Sequence, residues 1–174
     1  MKTSWLLPLL AACGTAPEAV SSFPLPARKA VMEMFVMSQC PYGVEVENAI
    51  APIVKQLGGA LEVQIQFIGD GKVGEFTSMH GPSEVRGDIA QLCVAKHAPE
   101  KLIDVLLCQN EDMKAVDNNW KECSTKNGAE LAPIEACVNG EEGQQLLAAS
   151  FELAKSKGAR GSPTILSSPA RDEN

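Results

Sequence analysis

The residues of this chain best suited to chemistry are a cysteine and the proline after it, Cys40 and Pro41, inside Ser38-Gln39-Cys40-Pro41-Tyr42-Gly43. Val31 to Met37, just before, is almost continuously apolar, as a strand buried on both faces would be. After it, proline at a first-turn position is followed by Val46, Ile50, Ile53 or Val54, and Leu57 at helical spacing. That spacing predicts a helix, with Pro52 as an internal kinking residue and Gly58-Gly59 as its stop. Cys40 therefore falls between the end of a buried strand and the first turn of a helix. Unpaired N–H groups and the positive end of the helix dipole point at such a position and favour thiolate over thiol. A thiolate is the attacking group of thiol–disulfide exchange. The competing reading is a buried structural cysteine. The turn-type neighbours Ser38, Gln39, Tyr42 and Gly43 weigh against it.

Other reactive residue types are few. Cys93, Cys108, Cys123 and Cys137 lie on predicted helices. An even set of four reads as two structural disulfides, with all three pairings open. A zinc centre would show cysteines two to four residues apart; none of these four is so placed, and no metal is expected. His80 and His97 are the only histidines. His80, on a loop, is a candidate for tuning Cys40; a solvated loop histidine is the alternative, and His97 is assigned no function. Met32, Met34 and Met37 alternate along the first strand and read as core. The acidic residues form no pattern that reads as catalytic. No organic cofactor is implied.

The elements that must position Cys40 follow from the remaining pattern. Leu61 to Ile68 alternates and reads as a second strand, and Gly69 to Gly74 as a loop. From Pro82 the pattern is helical as far as about Lys157. One face carries Val85, Ile89, Leu92, Cys93 and Lys96; later helices carry Leu102 to Leu107, then Met113, Val116, Trp120 and Cys123, then Ile134 and Cys137. A last helix spans about 141 to 157, and Pro163-Thr164-Ile165-Leu166 opens a short final strand. Strand, helix, strand, helical block, strand is an α/β order with a partly parallel sheet.

The chain has 174 residues, enough for one domain with a core, and its formal net charge of -7 excludes a nucleic-acid protein, which needs a basic face. No apolar run reaches the ~20 residues of a transmembrane helix. Lys2 precedes the apolar run Trp5 to Ala12, which ends Leu10-Ala11-Ala12-Cys13-Gly14. That stretch resembles a bacterial lipobox. It predicts a signal peptide over 1–12, lipidation at Cys13, and a tether over 13–28 carrying Pro17, Pro24 and Pro26. The domain proper would span 29–174, with residues 78–157 as helical insertion and following helix. The expected location is the cell envelope, lipid-anchored and facing the periplasm, where cysteines tend to pair.

Phe35-Val36-Met37-Ser38-Gln39-Cys40-Pro41-Tyr42-Gly43 resembles the active-site turn of the DsbA-like thioredoxin-fold group, and Pro52 the kinking proline of its active-site helix. Gly161-Ser162-Pro163-Thr164-Ile165 is similar to that group's cis-proline loop. The resemblance implies a thioredoxin-like fold and a cis bond before Pro163. It also implies a binding platform made by Gln39, Pro41, Tyr42, Ser162 and Pro163. A closer likeness is to the gamma-interferon-inducible lysosomal thiol reductase family, which adds a cysteine-bearing helical insertion to that fold. His80-Gly81 matches the centre of its Cys-Gln-His-Gly signature, while Ser78 and Val85 stand where that family has two cysteines. Cys93, Cys108, Cys123 and Cys137 follow the order of the family's later cysteines, which favours pairing Cys108 with Cys123. The likeness runs from about residue 30 to 166.

Two departures stand out. Gly43 occupies the place of the second, resolving cysteine. The final edge strand and helix of the fold have no counterpart after Pro163, which predicts an exposed sheet edge. The reading that results is a monothiol exchange protein with Cys40 as nucleophile. It would act on cysteine-containing proteins or small thiols, with a redox partner protein to complete the cycle. The alternative is a redox-inactive module that binds peptide in the same groove.

Overall fold

In the computed structural model the described residues are 29–168. The expected signal peptide, Cys13 and the tether lie outside them, as does the tail beyond residue 168. The strand β1 (Ala30–Val36) forms the middle of a three-stranded sheet. On one side β2 (Leu61–Phe67) runs parallel to it, from Ala30 opposite Leu61 to Val36 opposite Phe67. On the other side β5 (Thr164–Ser168) runs antiparallel, from Phe35 opposite Thr164 to Val31 opposite Ser168. Strand alternation sends Met34 and Val36 into one core and Phe35 and Met37 into another. The larger core joins the sheet to the helical block through Phe67, Trp120, Leu147 and Phe151. The smaller one gathers Cys40, Ile68, Ala154 and Ala159.

Between β1 and β2 runs α1 (Pro41–Leu57), continuous through Pro52. Val46 and Ile50 pack against the larger core as expected, but the most deeply buried positions are others. Gly43, Glu47 and Ala51 are buried, whereas Ile53 and Leu57 are exposed. Two small residues let the helix approach closely there, and the glutamate between them is inward because Asn110 donates to it at 2.9 Å.

The segment read as a loop, 69–74, contains β3 (Asp70–Lys72), which forms a short hairpin with β4 (Glu75–Thr77) just after it. Strands of three residues are too short to display a period of two. Phe76 holds the hairpin edge-on against Phe151, with ring centroids 5.8 Å apart.

The helical block follows as α2 (Pro82–His97), α3 (Leu102–Asn110), α4 (Val116–Lys126), α5 (Leu131–Asn139) and α6 (Glu141–Ser156). Instead of showing one apolar face, α2 is the block's central helix. Every residue from Gly87 to Val94 is buried, Asp88 and Gln91 included, while Lys96 is exposed. Cys93 of α2 is bonded to Cys137 of α5, and Cys108 of α3 to Cys123 of α4, with S–S distances of 2.02 and 2.10 Å. No helix among the described residues is long and apolar enough to cross a membrane.

Candidate active site

Cys40 is the N-cap of α1, in an extended conformation, with Pro41 in the first turn behind it. Proline fits there because that N–H would have no partner in the helix. Cys40 donates its own N–H to the Met37 carbonyl at 2.9 Å, and its carbonyl accepts the first helical bond from Val44. It is the free cysteine among the described residues and is 9 % exposed. The thiol is 3.6 Å from the carbonyl oxygen of Ser162, within range of a weak S–H hydrogen bond.

The Ser162–Pro163 peptide bond is cis. It opens β5, which brings the loop alongside the end of β1. There the Ser162 hydroxyl accepts the Met37 N–H at 3.0 Å. Cys40, Ser162 and Pro163 thus come together from residues more than 120 positions apart. Gly43 lies under the same loop, where a Cβ would sit 2.8 Å from Ser162 Oγ. Tyr42 is 70 % exposed, at the rim. Beside Pro41 an open hollow of about 470 Å³ lies between α1 and the α3–α4 connection, lined in part by Glu45, Glu111, Asp112 and Lys114.

Two residues of the expected platform and tuning set are engaged elsewhere. The Gln39 side chain donates to Ser83 Oγ at 3.0 Å and to the Lys114 carbonyl at 3.2 Å, so it ties the turn to the helical block. His80 bonds Glu84 instead of Cys40: its Nδ1 is 2.6 Å from Glu84 Oε2. His97 Nε2 is 2.9 Å from Glu142 Oε2. Those two groups and Cys137 Sγ lie within 4.8 Å of one another, but that sulfur is already bonded to Cys93 and offers no thiolate to a metal.

The sequence reading passed over three buried carboxyl groups, Glu47, Glu84 and Asp88. Glu84 Oε2 accepts the Gln39 N–H at 3.0 Å, and Asp88 Oδ1 accepts the Ser38 N–H at 3.2 Å. The α2 backbone also takes part, with the Glu84 carbonyl accepting from Ser38 Oγ at 3.3 Å. Burial pushes the Asp88 carboxyl well above the usual carboxylate range; hydrogen bonding from Ser38 opposes this, and the charges of Glu84 and Glu47 add to it. Burial likewise raises Glu47 to about 7, partly offset by the bond from Asn110. The available signal was two carboxylates four residues apart, at the start of a helix that is otherwise core.

The family model described as "Gamma interferon inducible lysosomal thiol reductase (GILT)" matches residues 31–127. No curated protein matches the chain. Among solved structures, the fold is similar to a putative protein disulfide isomerase from Nitrosomonas europaea. The TM-score is 0.65 at 13 % identity, covering 83 % of this chain and 87 % of that one. It is also similar to the disulfide bond oxidoreductase DsbG from Mycobacterium tuberculosis, with TM-score 0.60, 18 % identity, and 83 % and 71 % of the two chains covered. BdbD from Bacillus subtilis gives a TM-score of 0.62 at 13 % identity, with 86 % and 81 % covered. These likenesses establish a DsbA-like thioredoxin fold.

Proposed function

The chain belongs to the gamma interferon inducible lysosomal thiol reductase family, a family of thiol–disulfide oxidoreductases, and on that premise we propose that Cys40 performs monothiol exchange. The observation that carries the reading is the free Cys40 thiol at the start of α1, 3.6 Å from the carbonyl of a cis-proline loop. In the reaction the Cys40 thiolate attacks one sulfur of a substrate disulfide. A mixed disulfide forms, and the other substrate sulfur leaves as a thiolate that takes a proton from water. Gly43 carries no sulfur, and the other four described cysteines are bonded in pairs. The second step therefore falls to a thiol from outside. It attacks the mixed disulfide, is itself oxidised, and releases Cys40.

The substrates are cysteine-containing proteins or small thiols. Ser162 and Pro163 support an extended segment beside the thiol, with Pro41 and Tyr42 at its rim. Gln39 contributes by holding the turn. The protein works in the cell envelope, exported by residues 1–12 and anchored by lipid on Cys13, facing the periplasm. A partner protein supplies the external thiol.

Incubating the mature protein, with Cys13 carrying its lipid, with oxidised glutathione and reading intact mass tests the proposal. Wild-type protein gains one glutathione adduct, and Cys40→Ser gains none. An undiminished adduct in Cys40→Ser refutes the reading. The second reading, a peptide-binding module without turnover, is favoured by Gly43 and by the low exposure of Cys40. It would show peptide binding but no adduct on wild-type protein.

A further inference from the structure

Four consecutive N–H groups at the redox turn are held. Met37 donates to Ser162 Oγ of the cis-proline loop, Ser38 to Asp88, Gln39 to Glu84, and Cys40 back to Met37. Two of the four acceptors are side-chain carboxyls of α2, an element of the helical insertion. The insertion reaches the turn because Gly87 has no side chain. A Cβ there would meet Val116 Cγ2 at 2.4 Å and Ser38 Oγ at 2.9 Å.

The two carboxyls are not equivalent. Asp88 leaves Oδ2 buried without a partner, and burial raises its carboxyl well above the usual range. Glu84 is 0 % exposed, and both its oxygens are engaged. Its Oε1 accepts the Ser78 hydroxyl and, at 3.2 Å, the His80 N–H. Its Oε2 accepts the Gln39 N–H and pairs with His80 Nδ1. A carboxylate matches this ring of donors. An amide would turn its own N–H groups towards one side of the ring.

We propose that Glu84 is a positioning residue for exchange at Cys40: it fixes the Gln39 peptide unit and so aims the neighbouring thiol at the cis-proline loop. The proposal rests on Cys40 being the reacting thiol. The hydrogen bonds of Glu84 go to Ser38, Gln39, Ser78 and His80, and it acts through the Gln39–Cys40 backbone. Misplacing an attacking atom by an ångström costs on the order of 100-fold in rate. The His80 ring, a third exposed, closes the ring of donors on the solvent side and keeps water from competing for Glu84.

The test uses the mature protein, with Cys13 carrying its lipid, and oxidised glutathione as the probe, with the bimolecular rate of adduct formation at Cys40 read by mass. Glu84→Gln is compared with wild type and with Ile134→Val, a core-trimming change in α5. Expected is a slowing of about tenfold or more in Glu84→Gln, with Ile134→Val reacting at the wild-type rate. Amide hydrogen exchange adds a second readout. In wild type the Gln39 amide is expected to be protected to the same degree as α2, and in Glu84→Gln to exchange as a surface turn. Equal rates in Glu84→Gln and wild type overturn the proposal, and so does equal slowing in Ile134→Val. If Glu84→Gln fails to fold, the wild-type amide decides: an unprotected Gln39 overturns the proposal and a protected one upholds it. Failure of the wild-type protein to form any adduct overturns the Cys40 reading instead.

Discussion

A Cβ on Gly43 would approach Ser162 Oγ to 2.8 Å, so the residue that lacks a thiol also lacks room for one. Ser162 is not free to withdraw, because its hydroxyl accepts the Met37 N–H. Gly43→Cys is therefore expected to destabilise the fold by about 1–3 kcal/mol through overpacking. Ser162→Ala alone leaves the Met37 amide unpaired, a loss of about 1 kcal/mol. In the double variant the clash is gone, and the total falls below the sum of the two single losses. Urea unfolding of the four proteins measures this; strict additivity would show that Ser162 does not limit position 43. Cys40 itself was legible in the sequence, because an apolar strand, a Cys-Pro turn and a helix pattern are all local. Glu84 was not, because its donors come from residues 39, 78 and 80, and a glutamate at the start of a helix ordinarily faces water.

At the scale of elements, α1 presses a carboxyl into the core. Glu47 is raised from 4.5 to about 7 by burial. In the unfolded chain it ionises near 4.5, so between that pH and about 7 the unfolded state loses a proton that the native state keeps. Stability then falls as pH rises through this window and levels off above it, by about 3 kcal/mol for this group. Asp88 acts in the same direction. Glu47→Gln is expected to flatten the fall in melting temperature between pH 5 and pH 7 (about the two ends of that window), leaving the part due to Asp88. A variant with the wild-type slope would mean that Glu47 ionises normally in the fold. The same burial explains how the pattern misled. Glu47, Glu84, Asp88 and Gln91 are polar yet buried, and they mark where α1 and α2 are covered on more than one side. The antiparallel direction of β5 is not a periodic signal and was not read. The long helices, the β1 and β2 runs and a partly parallel sheet were visible, since they rest on runs long enough to show a period. The β3–β4 hairpin was not.

Across the whole molecule the sequence carries a net charge of -7, and Glu45, Glu111 and Asp112 outnumber Lys114 in the hollow beside Pro41. Cationic disulfides are thus drawn to Cys40 and anionic ones repelled. Cystamine is expected to modify Cys40 faster than oxidised glutathione does. The advantage should shrink as salt is raised past about 0.1 M, where screening reaches ~10 Å. A ratio of rates that ignores salt would remove electrostatics from substrate choice. This architecture also holds the Cys40 turn from two sides at once, by the cis-proline loop of the thioredoxin framework and by the α2 helix of the insertion.

The pairing of Cys93 with Cys137 and of Cys108 with Cys123 has a consequence for assembly. It leaves the described domain with a sulfur valence of one. In the vocabulary of polymer chemistry the domain is monofunctional. Oxidation through Cys40 can join it to one partner or pair it with one copy of itself across a two-fold axis, and there the growth of any disulfide-linked chain stops.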